Sequence, residues 1–154
     1  MRKLNRKQWL LVFASLAAGI LVYSIPLRIT IATTNSVKYK VFWTSSPDAE
    51  PLKRGMYVRS TKFIDLQSYE SKQYSIIKKI GCMSGDRLDE KNGSYYCNGI
   101  FFCKSLTGRE NFHFAGVIPD ESVFLVGDSQ TSYDSRYFGL ARTGEIDALL
   151  EPIF

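Results

Sequence analysis

Histidine is almost absent. The chain of 154 residues holds one, His113, in "NFHFAG", where the flanking phenylalanines suit a structural or surface place. A Ser-His-Asp triad would have to use it. A zinc site needs several His or Cys ligands at suitable spacing. His113 and three dispersed cysteines, Cys82, Cys97 and Cys103, do not supply them, and neither a metal nor another cofactor is expected. No glycine-rich phosphate loop is present. Repeats, low-complexity tracts and linkers are missing as well. The net charge is +5 and the pI about 9.1, but the basic residues are scattered. Without a basic cluster interleaved with aromatics, a nucleic-acid partner is not expected.

Charge is also missing from Gln8 to Leu27, roughly the length a bilayer core requires. Arg2, Lys3, Arg6 and Lys7 precede this stretch, and Trp9 and Tyr23 lie near its ends, where amphipathic rings favour the interface. The basic cluster predicts a cytoplasmic N-terminus and a translocated remainder. The lipid bilayer is then a partner. A cleavable signal peptide is the competing reading. The apolar stretch is long for one, and Ser24-Ile25-Pro26-Leu27-Arg28 contains no clean small-x-small site. The organisation expected is a basic N-terminus over residues 1–7, a transmembrane anchor over 8–27 and one domain over 28–154.

In an oxidising compartment three cysteines allow one disulfide and one free thiol. "YYCNGIFFC" carries Asn98-Gly99 between apolar runs, a two-residue hairpin signal. That turn pairs Cys97 with Ile100 and leaves Cys103 about 10 Å from Cys97, beyond the roughly 7 Å Cα limit of a disulfide. The remaining pairings are Cys82 with Cys97 or Cys82 with Cys103, against three free buried thiols.

The composition, 45% hydrophobic and 14% aromatic, supports a core. "LRITIATT", "YKVFW", "MYVRST", "YSIIKKIG" and the apolar part of "VIPDESVFLVGDSQ" read as strands. "TSSPDAEPLKRG" is a loop, and Ser84-Gly85-Asp86 and Asn92-Gly93 are turns. "FIDLQSYESKQ" reads as a short helix or an irregular excursion, and "EIDALLEPIF" as a last helical turn or a docking strand. The class expected is mainly β, one domain of many short strands.

With triad, metal and phosphate chemistry set aside, a serine with a lysine base remains. Lysine accepts a proton only when neutral, and burial disfavours its charged form. "SIIKKIG" surrounds Lys78 with isoleucines. Lys78 and Lys79 point to opposite faces of a strand, so one of them can enter a site. Solvated edge-strand lysines are the alternative.

Four segments, in order, resemble the serine-lysine signal peptidases. They are "TNSV" just after the apolar stretch, "RGMYV", "KKIGCMSGD" and "GDSQTSYDSRYFG", of which "SYDSRYFG" is the most specific. The family patterns are Lys-Arg-x-x-Gly-x-Pro-Gly-Asp and Gly-Asp-Asn…Ser-x-Asp-Ser-Arg-Tyr-x-Gly. The chain looks closest to the short TraF-type conjugative-transfer peptidases. Its serine segment runs on into "VKYKVFW", its last segment is compact, and the larger housekeeping enzymes carry inserted domains that 154 residues do not hold.

The resemblance implies a signal-peptidase-like antiparallel β domain behind one transmembrane helix, in a bacterial inner membrane with the domain in the periplasm. It makes Ser36 the nucleophile and Lys78 the general base. Ser132 orients the lysine, and the Ser36 N–H with the Thr34 hydroxyl forms the oxyanion hole. Asp134 and Arg136 form an ion pair that shapes the site, with Gly127 and Asp128 opening the last segment. Lys79 stands where the family has arginine, Ser84 replaces a proline, Cys82 a glycine and Ser129 an asparagine. These departures bear on loop geometry and substrate choice. The implied substrate is a secreted or pilin precursor, cleaved or cyclised, with other conjugation or secretion proteins as partners. The alternatives are a general type I signal peptidase and an inactive membrane-anchored assembly factor.

Overall fold

A computed structural model describes residues 5–24, 28–64 and 72–154. One helix, α1 (Arg6–Ser24), opens the chain. Eleven strands follow: β1 (Ile29–Ile31), β2 (Val41–Ser45), β3 (Tyr57–Ile64), β4 (Lys72–Met83), β5 (Arg87–Lys91), β6 (Ser94–Cys97), β7 (Ile100–Lys104), β8 (Ala115–Val117), β9 (Ser122–Val126), β10 (Ala141–Arg142) and β11 (Ile146–Pro152). A short helix, α2 (Ser135–Phe138), lies between β9 and β10.

The strands form two antiparallel sheets, a larger one in the order β1-β2-β11-β3-β4-β9-β10 and a smaller one in the order β7-β6-β5-β8. The mainly β class is the one the alternating segments predict. "EIDALLEPIF" is a strand, inserted between β2 and β3. Tyr39 and Lys40 of "YKVFW" precede their strand, which begins at Val41. The helix or excursion expected in "FIDLQSYESKQ" falls largely on residues 65–71, outside the described residues; β3 and β4 take in its ends.

Strand β9 shows why the core lies on both faces of the large sheet. Successive side chains alternate, so Val123 and Leu125 enter one apolar cluster with Val58, Ile80 and Leu149. Phe124 and Val126 enter another with Leu88 and Tyr95 of the small sheet. On β4 a register shift between Ile80 and Cys82 breaks the alternation. Ile80 therefore faces the first cluster and Cys82 the second. There Cys82 is bonded to Cys97 of β6, with a Cα–Cα distance of 5.8 Å, and Cys103 is free. Asn98 and Gly99 both have positive φ, at 51° and 79°, as a type I′ turn requires. Cys97 is opposite Ile100.

Helix α1 is apolar nearly all round, and its side chains from Trp9 to Ile20 are exposed. Among the described residues no helix is long and apolar enough to cross a membrane. Arg6, Lys7 and Gln8 take up the first turn, and the uncharged part from Trp9 to Ser24 measures about 24 Å at the helical rise, against about 30 Å of hydrocarbon. The end of the expected span, 25–27, lies outside the described residues.

Candidate active site

Lys78 sits on the face of β4 that it shares with Ile80, paired across the sheet with Val58. It is 4% exposed. Burial pushes its ammonium below the ordinary lysine range, the nearby Asp134 carboxylate opposes that, and the Arg136 guanidinium adds to it. Its Nζ donates to Ser132 Oγ at 2.9 Å, and Ser132 is itself buried. Lys79 points the other way and donates to Asp128 Oδ1 at 2.6 Å.

Ser36 lies in the turn between β1 and β2. Its Oγ is 2.8 Å from Thr34 Oγ1. Ser36, Thr34, Lys78 and Ser132 line one cleft of about 920 Å³, with Ile29, Ile31, Ile76 and Ile77 as its apolar wall. The serine hydroxyl and the lysine amine thus face a common space, each hydrogen-bonded to a different hydroxyl. Catalytic hydrogen bonds are often long or misaligned without substrate.

The segment after β9 holds these groups together. Gly127 fits between Ser132 and Ser36: a Cβ there would lie 2.5 Å from both Ser132 Cβ and the Ser36 carbonyl oxygen. The next residue, Asp128, accepts from Lys38 N at 2.9 Å, Tyr57 OH at 2.7 Å and Lys79 Nζ. Although partial burial opposes ionisation of Asp128, these three donors hold its carboxyl below the usual range. Asp134 caps α2 and is fully buried, accepting from Gly127 N at 2.8 Å and from Arg136 Nε and Nη2 at 2.7 Å. Arg136 uses its other donors on the carbonyls of Lys104, Ser129 and Ser132. One buried ion pair fixes the whole turn from Gly127 to Arg136.

Thus the cleft brings together Ser36, Thr34, Lys78 and Ser132, and Gly127, Asp128, Asp134 and Arg136 lie directly behind them. Cys82 and Cys97 are away from it, between the sheets. His113 is exposed and pairs with Glu90 at 2.8 Å. Sequence reasoning missed Tyr57, which meets Asp128 behind the cleft only through strand register, and Arg59, Thr30 and Tyr133, which line the cleft. Tyr57 and Tyr133 lie inside "RGMYV" and "SYDSRYFG", but nothing in those segments marks their contacts.

A hydroxyl, a buried amine with a depressed proton affinity and a second hydroxyl to orient that amine are the parts of a serine nucleophile with a lysine base. No curated protein sequence matches the chain significantly. Among solved structures, a signal peptidase I from Enterococcus faecalis is similar at 16% identity and a TM-score of 0.46, over 65% of this chain and 97% of that one. The family model "Signal peptidase, peptidase S26" matches residues 8–153, nearly the whole chain. The chain belongs to this family, and it is a serine peptidase of the signal peptidase type that acts on a peptide substrate.

Proposed function

We propose that this chain is a membrane-anchored peptidase that processes a secreted or pilin precursor for conjugative transfer through a Ser36–Lys78 dyad. The observation that carries the dyad is the burial of Lys78 beside Ser132, in the cleft that Ser36 also lines. Neutral Lys78 takes the proton of Ser36 as Oγ attacks the scissile carbonyl carbon. The Ser36 N–H and Thr34 hydroxyl stabilise the oxyanion, a contact worth about 3–4 kcal/mol per donor. The C–N bond breaks, and Lys78 returns the proton to the leaving amine. Water then attacks the ester, giving hydrolysis. When the substrate's own N-terminal amine attacks instead, the product is cyclic.

The conjugative assignment rests on the "VKYKVFW" continuation and the compact "GDSQTSYDSRYFG" segment. Anchoring is supported by the basic Arg2–Lys7 cluster and by α1, whose apolar side chains are exposed. A general signal peptidase with many substrates is the second reading, favoured by the description of the matching family. Purified enzyme incubated with a pilin precursor and with an unrelated secretory precursor separates the two. Processing of the pilin alone, with a cyclic product lighter than the linear one by a water, fits the proposal. Equal cleavage of both sinks the conjugative assignment. Ser36→Ala should remove all processing while the chain stays folded, and activity in that variant would remove the dyad.

A further inference from the structure

The residues from Thr33 to Tyr39 belong to no helix or strand. This turn nonetheless has to aim a hydroxyl and a backbone N–H at one point in the cleft. Its neck is closed by Ala32 N donating to the Lys40 carbonyl at 2.8 Å. Its far side is held where the Ser36 carbonyl accepts from Ser129 N at 3.2 Å. Between these, the Lys40 ammonium folds back into the turn and donates to the Thr34 carbonyl at 2.8 Å and to Asn35 Oδ1 at 2.7 Å. Among the described residues no carboxylate pairs with this ammonium. Lys40 is not among the residues lining the cleft.

The peptide unit that carries the Ser36 N–H joins Asn35 to Ser36. Lys40 fixes the unit before it, through the Thr34 carbonyl, and the side chain of Asn35. The Ser129 amide fixes the unit after it. A planar peptide unit can turn only about its flanking dihedrals, so bonds on both sides set the direction of its N–H. The Thr34 bond also fixes the residue whose hydroxyl lies beside Ser36 Oγ. We propose that Lys40 is a positioning residue: its ammonium clamps the serine turn so that the Ser36 N–H and Thr34 hydroxyl are aimed at the developing oxyanion. Its positive charge also favours negative charge forming at this turn. The inference rests on Ser36 being the nucleophile and goes beyond that reading by assigning a clamp that touches no substrate.

The test compares the parent chain with Lys40→Met, which keeps the length of the side chain and removes its charge and donors. Both bonds are exposed, so the melting temperature should hold within a few degrees. The expected result is a fall in kcat of about 10–50-fold with KM little changed, because the clamp acts on the oxyanion and not on ground-state binding. A second variant, Lys40→Cys, is alkylated with 2-bromoethylamine to rebuild an ammonium on a chain of lysine length, and kcat should recover. Cys103 is half-buried and its thiol is pushed up to about 12, so it resists this reagent, and the alkylated parent is the control. A serine-directed acylating probe, located by mass on the parent chain, separates the two levels. Label on Ser36 with parent-like kcat in Lys40→Met overturns the clamp alone. So does a loss that aminoethylation leaves unrestored, or one confined to KM. No label on Ser36 in the parent overturns the nucleophile assignment and the clamp with it.

Discussion

A lysine buried to 4% exposure is a cost that the chain carries at neutral pH. In the unfolded chain Lys78 binds its proton up to the ordinary lysine pKa, whereas in the fold it releases it earlier, chiefly because burial disfavours the charge. Between those two values the unfolded state binds more protons, so stability rises with pH. It falls as the pH drops from the ordinary lysine pKa to the depressed folded one, and levels off below that. Lys78→Met should therefore abolish peptidase activity without lowering the thermal midpoint near pH 7. The loss of the Ser132 hydrogen bond, about 1 kcal/mol, is offset by removal of the free-energy cost of burying the amine. The variant's advantage over the parent should be largest in acid and vanish toward pH 10. Melting curves across pH check this, and a variant that becomes relatively less stable in acid would refute it. Lys78→Arg should also be inactive, because a guanidinium stays protonated. In the parent, kcat/KM should rise with pH through the depressed Lys78 pKa.

At the scale of elements, the site depends on the turn between β9 and α2. Gly127→Ala places a methyl group against Ser132, whose carbonyl Arg136 holds, and against the Ser36 carbonyl, which Ser129 N holds. The expected outcome is a loss of about 1–3 kcal/mol of stability and a larger proportional loss of activity, since Ser132 and the Ser36 turn are pushed apart. Denaturant melts and a peptide cleavage assay measure the two. A folded Gly127→Ala chain with full activity would show that Ser132 and Ser36 do not need this contact. The motif that encodes the turn, "SYDSRYFG", was the most specific segment in the sequence, and its buried ion pair explains why: Asp134 and Arg136 satisfy each other and the backbone groups around them. The same strand-level reasoning read the Asn98-Gly99 hairpin from two residues. It did not read the shift at Ile80–Cys82, because a bulge depends on what packs across it.

At the scale of the whole molecule, the described residues comprise an apolar, exposed α1 and a two-sheet β body. The charge pattern around α1 predicts the N-terminus inside and the β body outside the cytoplasm. Protease added to spheroplasts should digest the β body, and removal of residues 1–27 should release it from the membrane fraction. Protection of the body in intact spheroplasts would overturn this topology. Its cleft opens beside β1, which begins at Ile29, five residues after the last residue of α1.

The sequence by itself determined the family and the fold class. Four ordered segments resembling the serine-lysine signal peptidases pointed to the family, and alternation in the apolar segments determined the β class. These are local properties, since strand periodicity, turn residues and depletion of a residue type are visible within a few positions. The resemblance singled out Lys78, and only the tertiary structure decided how deeply it is buried, because burial is contributed by β3 and β9, which are remote in sequence. It also decided the Cys82–Cys97 pairing, which requires two sheets to meet. Lys40 is the sharpest case. In sequence it is one of two lysines in "VKYK", and its role at the serine turn exists only because the neck at Ala32 and the Ser129 amide fold the chain back around its ammonium.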